Sequence, residues 1–255
     1  MQVDTAGVLL AAGVLGGLVN AVAGGATLIT FPAMLAVGLP AIAANASNAV
    51  AISPGHLIAA FADRGKLPPP TGRTMTFVAI ALTGGAIGAG LLLLLPERLF
   101  TLPVPALIAF ATLLFAFAPR LQARSEGRRS PGEAEPRGFH TACLAAACLY
   151  GGFFGAGLGV ILTAGLSITE PNDIRAIKAL KNLLASCVAL AATVIFIVQD
   201  AVRWPETGMM LAGATAGGYG GGLLIRVLPA IHVRRIVIGA GTAMTILYAW
   251  RYWLS

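Results

Sequence analysis

Charge is what this sequence has least of. Only 11% of its 255 residues are Asp, Glu, Lys or Arg, against about 25% in an ordinary soluble domain. That shortage excludes a water-soluble fold of this size. With 57% hydrophobic residues and a mean hydropathy of +0.85, the apolar surplus needs a lipid bilayer around it. Acidic residues are confined to loops and ends, which removes the paired carboxylates that hydrolytic chemistry inside a membrane would use. Histidines and cysteines number three each. Cys143, Cys148 and Cys187 fall in apolar runs without metal or disulfide spacing, so small buried thiols are expected, with no metal and no cofactor. The net charge of +7 reads as basic residues flanking membrane spans on the cytoplasmic side, not as a nucleic-acid footprint. The N-terminal segment lacks a positive leader region and carries Asp4, so it is expected to be mature structure rather than a signal peptide.

What is present is a succession of apolar runs at 6–22, 24–38, 40–62, 73–95, 102–119, 138–154, 157–169, 175–198, 205–226 and 236–252. The fold class is all-α, a polytopic membrane protein. "DRGKLPPPTGR" (63–73) makes a stiff basic loop. The one long polar stretch, 121–137, reads as a cytoplasmic linker between a first transmembrane repeat (1–120) and a second (138–255). The halves match at three places in order: "GGAIGAGLLLLLP" with "GGYGGGLLIRVLP", "GGLVNAVAGG" with "GGFFGAGLG", and "ANASNAVA" with "KALKNLLA". The last match sets Asn48 opposite Asn182.

Orientation follows from the basic residues. If each half opens with a hairpin of two short helices, re-entrant or broken, only Arg98, Arg203 and Arg251 of the 17 Lys+Arg fall on the outer side. Each half then has an odd number of net crossings. The halves become inverted-topology repeats of about five helical segments each, in the inner cell membrane, with both termini outside. Such repeats hold substrate near the midplane at broken helices.

"NAVAGG" (20–25) lies at the first hairpin turn. The helix after it would offer free amides and a positive dipole end, which suits an anion. Asn20, Gly24, Gly25, Ala26 and Thr27 are therefore candidate substrate residues, with Gly157, Leu158 and Gly159 at the second turn. Asn45 and Asn48 share one helical face, as do Lys178, Lys181 and Asn182. Lysine inside a span usually faces a cavity. Pro54 should kink its span. His56 and Lys181 are the candidates for proton coupling. Asp63 with Arg64 ends that span as an interfacial pair. Glycine-rich faces at 84–90 and 217–222 could pack within or between subunits, which leaves a homodimer open.

"NAVAGGATLITFPAMLAVGLPAIAANASNAVA" resembles the opening motif of the TauE/SafE family of sulfite exporters and related membrane transporters. The resemblance rests on Gly24, Gly25, Pro32 and Gly38-Leu39-Pro40, and "GGFFGAGLGVILTAGL" (151–166) is similar to the family's repeated copy. Ala26 stands where the family has a third glycine, and Leu158 interrupts the second glycine set. The resemblance implies transport of a small sulfur-containing anion such as sulfite or an organosulfonate, by alternating access. The alternatives are an intramembrane enzyme such as a lipid-phosphate phosphatase, or a passive small-anion channel.

Overall fold

The computed structural model describes residues 3–22, 25–127, 137–169, 174–224 and 230–254. Gly24, one of the candidates, lies outside the described residues. Eleven α-helices and no strand are found among them: α1 (Val3–Val22), α2 (Thr27–Ala36), α3 (Ala41–Ala62), α4 (Gly72–Leu94), α5 (Glu97–Thr101), α6 (Val104–Gly127), α7 (Arg137–Phe153), α8 (Leu158–Thr169), α9 (Ile174–Val198), α10 (Trp204–Leu224) and α11 (Ala230–Ala249). A π-helical turn, Trp250–Leu254, follows. Four helical stretches are long and apolar enough to cross a membrane: Asp4–Ala21, Gly72–Leu94, Glu97–Arg120 and Arg175–Val198.

Two expectations need correction. The opening helices of each half are not both short. α1 has 20 residues, or ~30 Å of helix, which is span length. The short ones are α2, with 10 residues, and α8, with 12. The segment read as linker is also partly helical, because α6 runs on to Gly127.

The helices pack in a reciprocal pattern. α1 packs along α10, and α4 along α7. α4 also packs on α9, and α10 on α3, while α3 crosses α9 and α6 crosses α11. Exchanging each helix for its counterpart in the other half leaves these pairings unchanged. The α1–α10 seam runs parallel and is glycine-lined. A Cβ at Gly17 would lie 2.1 Å from the Ala214 carbonyl oxygen, and one at Gly217 would lie 2.0 Å from that of Val14. The α4–α7 seam repeats this. A Cβ at Gly88 would lie 2.1 Å from the Leu149 oxygen, and one at Gly152 the same distance from the Gly85 oxygen. Such approach lets backbones touch where lipid offers no hydrophobic drive. These contacts pair Gly88 with Gly217 as equivalents, one helical turn away from the register of the sequence match. Gly84, Gly85, Gly88 and Gly217 of the two glycine-rich faces thus pack within the chain, while Gly90 and Gly220 have nothing within 4 Å of a Cβ.

Two counterpart pairs, α3 with α9 and α6 with α11, run antiparallel. Asn182, near the start of α9, meets Asp63 at the end of α3, while the Arg203 amide just past α9 donates to Ser47 Oγ at 2.9 Å. On α6 and α11, Arg234 reaches Phe115, and Trp253 reaches the Leu102 carbonyl.

Candidate functional site

Both hairpin turns land on one stretch of α6. Gly25 has φ +106° and sits where a Cβ would come 2.7 Å from the Phe115 ring. Gly157 has φ +80°, with Leu114 Cδ1 at 3.3 Å from its Cβ position. Only glycine meets both demands, a left-handed backbone and no side chain. The Tyr150 hydroxyl donates to the Ala156 carbonyl at 2.7 Å and pins the second turn. Phe31 of α2 meets Phe154 of that turn edge-on at 5.3 Å between centroids. The starts of α2 and α8 are therefore brought together by α6 and by this ring pair.

The amides at those starts are open. Leu28, Ile29 and Thr30 are satisfied by the carbonyls of Gly25 and Ala26, and Leu158, Val160 and Ile161 by those of Gly155 and Gly157. The N–H groups of Ala26, Thr27, Gly157 and Gly159 find no acceptor among the described residues. Free amides and a positive dipole end attract anions.

These turns border a cavity of about 1100 Å³. It is lined by Asn20, Gly25, Ala26, Thr27, Asn45, Asn48, His56, Gly157, Leu158, Gly159, Lys178, Lys181 and Asn182, so every described candidate faces one space. They do not all face one ligand. The Asn182 Nδ2 donates to Asp63 at 2.7 Å. Asn48 lies ~22 Å back along α3 from Asp63, at about 1.5 Å per residue. Asn48 and Asn182 thus cannot grip the same small ion. The antiparallel crossing of α3 and α9 carries matched positions to opposite ends of the cavity.

Lys181 is the candidate nearest a turn, its Cδ at 3.8 Å from the Cβ position of Gly159. Its ammonium has no hydrogen bond or ion pair among the described residues. Lys178 is exposed. Asn20 Nδ2 lies 3.2 Å from the Cβ position of Gly55, beside Pro54. At Pro54 the Val50 carbonyl loses its helical donor, and Ser53 Oγ replaces it at 3.0 Å. The His56 side chain lines the cavity, while its carbonyl accepts Ser186 Oγ at 2.7 Å.

Two cavity residues escaped sequence reasoning. Arg234 of α11 donates from Nε to the Phe115 carbonyl at 3.0 Å and from Nη2 to Ala116 at 2.7 Å. Pro119 has no N–H to give Phe115, and the guanidinium fills that gap. A proline inside a span was a visible signal, but the distant arginine that answers it was not. The second is Asp63. It is buried, and its partners are Lys66 Nζ at 2.9 Å and Asn182, not Arg64. The hydrogen bond from Lys66 holds its carboxyl below the usual range. Arg64 instead folds back over the Phe61 ring at 3.8 Å. Of the cysteines, Cys148 is buried, Cys187 half-buried and Cys143 exposed, so the expectation of three buried thiols fails at Cys143.

Among curated proteins, the chain is 25% identical over 244 residues to a "Probable membrane transporter protein" of Haemophilus influenzae, covering 95% of this chain and 94% of that one. It is also 25% identical over 242 residues to the "Probable membrane transporter protein YfcA" of Escherichia coli K12, covering 94% and 87%. A "Probable membrane transporter protein ORF9" of Sinorhizobium sp is 23% identical over 240 residues, covering 93% and 90%. No solved structure matches. The family model "Sulfite exporter TauE/SafE" matches residues 9–248, nearly the whole described helical frame. The open helix starts, the lysine-bearing cavity and the two-half frame are therefore those of a chain that belongs to the sulfite exporter TauE/SafE family.

Proposed function

We propose that this membrane transporter carries a small sulfur-containing oxyanion, such as sulfite or an organosulfonate, by alternating access at a site between two inverted repeats. The observation that carries this reading is the meeting of the α2 and α8 starts on residues 111–115 of α6, with open amides at both. Lys181 beside Gly159 supplies formal positive charge, and Arg234 beside Phe115 supplies more. The substrate class rests on family membership, and the anion chemistry on the amides. Asn20, Ala26, Thr27, Gly157 and Gly159 surround this part of the cavity, while Asn182 and Lys178 belong to the end near Asp63.

The reciprocal packing and the antiparallel counterparts support the inverted arrangement. It would put the 63–73 and 226–235 connections on the cytoplasmic face of the inner membrane and both termini outside. A transporter family leaves no ground for the intramembrane-enzyme reading.

The test is a binding screen of sulfite, sulfate, sulfonates and carboxylates against the purified chain. Sulfite or a sulfonate should bind best. Lys181→Ala should weaken that binding by roughly tenfold or more, as expected for a lost charge-assisted contact. Equal, weak binding of all four classes, unchanged in Lys181→Ala, would remove the reading.

A further inference from the structure

We propose that the Asn45–Asn48 face of α3, set against the C-terminal end of α7, is a binding site for a monovalent metal cation of the sodium type. Both side chains are 1% exposed and line the cavity. The Oδ1 of each has no hydrogen-bond partner among the described residues. A buried acceptor left empty costs about 1–3 kcal/mol. Two such acceptors stand one turn apart on one helical face, which points to something that fills them.

The geometry of Asn45 fixes what that something is. Its Nδ2 donates to the Phe153 carbonyl at 3.0 Å. Turning the amide over would set oxygen against oxygen, so the atom left over is an acceptor. Phe153 is the last residue of α7, where helix carbonyls run out of amide donors and the dipole is negative. The Tyr150 carbonyl already takes both the Phe154 and the Gly155 amides. Gly151 and Gly152 of that turn line the same cavity. This corner therefore presents acceptors: the Asn45 oxygen, the Asn48 oxygen beside its own amide N–H groups, and the negative end of a helix.

A corner with buried, unpartnered oxygens at a helix C-terminal end calls for a cation. Its donors are neutral oxygens. Divalent and transition metals want carboxylates, imidazoles or thiolates, and no cluster of His, Cys, Asp or Glu fit for a metal occurs among the described residues. A hard monovalent ion fits such a set. Broken-helix transporters divide their ligands in this way, with cations at helix C-terminal ends and anions at N-terminal ends. The 154–157 turn puts the two ends side by side: α7 finishes toward Asn45 and α8 begins toward Lys181. A cation in this corner would offset the charge of the neighbouring anion and travel with it. The site goes beyond the oxyanion reading, and its test needs no transport.

The unfolding midpoint of the purified full chain is measured in Na+, Li+, K+ or N-methyl-glucamine chloride at one ionic strength, without oxyanion. Na+ is expected to raise the midpoint saturably, and Asn45→Ala and Asn48→Ala are expected to lose that rise. Asn48→Asp adds a formal negative charge and should lower the half-saturating Na+ concentration by about tenfold, a readout that stands even if the alanine variants fold poorly. A wild-type midpoint identical in all four salts means that water fills the corner, and overturns the proposal. A Na+ shift unchanged in both Asn48 variants overturns it too. Either failure would leave oxyanion binding as it stands.

Discussion

The two halves build the same frame and furnish it differently. Each has a helix, a glycine turn, a short helix with open amides and a long crossing helix. On the crossing helix of the first half, α3, stand Asn45, Ser47 and Asn48. On that of the second, α9, stand Lys178, Lys181 and Asn182. The backbone repeats, but the positive charge of the crossing helices sits on one side of the repeat. The difference teaches that the frame supplies position and dipoles, while the sequence within it decides where the side-chain charge stands. A symmetric cavity would bind alike from both ends. This one has a lysine near the start of α8 and unpartnered asparagine oxygens near the end of α7.

The largest effect should come from breaking the frame itself. Gly17→Ala in the α1–α10 seam and Gly152→Ala in the α4–α7 seam each drive a Cβ to 2.1 Å from a backbone oxygen. Overpacking of this kind costs about 1–3 kcal/mol or more, so both should lose folded yield by gel filtration in detergent. Gly7→Ala, with nothing within 4 Å, should not. Equal loss in both seams supports the equivalence of the halves; loss in only one breaks it.

The frame was legible in the sequence because glycine spacing, apolar length and basic flanks each leave a local signature. The two turns were found from "AGG" and "GAGLG" for the same reason. The register of the repeat was not, because several glycines per turn make a match displaced by one turn look as good. Asn48 and Asn182 hold matched places in the sequence, but the antiparallel crossing of α3 and α9 carries them away from each other. Arg234 and Asp63 were invisible as cavity residues because Phe115 and Asn182, which tie them to other helices, lie more than a hundred positions away. Arg234 meets Phe115, and Asp63 meets Asn182, only once the helices cross.

Next in size is the contrast between Lys181 and Ser47, which occupy matched places in the two halves. Ser47 Oγ accepts the Arg203 amide and serves structure. Ser47→Ala should therefore cost about 1 kcal/mol of stability and leave oxyanion affinity unchanged in a titration of the folded variant. Lys181→Ala should do the reverse. If Ser47→Ala weakens affinity as much as Lys181→Ala, the two ends are not chemically distinct.

The smallest effect concerns Asp63, which ties α3 to α9. Its carboxyl is held below the usual range, so its contribution to stability is present above the ordinary carboxylate pKa and fades as pH falls through the lowered value. Unfolding midpoints measured downward from about pH 5 should therefore fall in the wild type. Asp63→Asn should start lower and fall less. Parallel curves for the two proteins would show that this tie carries no stability.

The central claim is that two helix starts, reached in turn from either face, form one oxyanion site. Counterflow of labelled sulfite in proteoliposomes tests it most directly. A saturable overshoot driven by unlabelled sulfite inside, lost in Lys181→Ala, is the expected result. Linear, non-saturating flux without overshoot, the same in wild type and variant, would describe a passive pore and contradict the account.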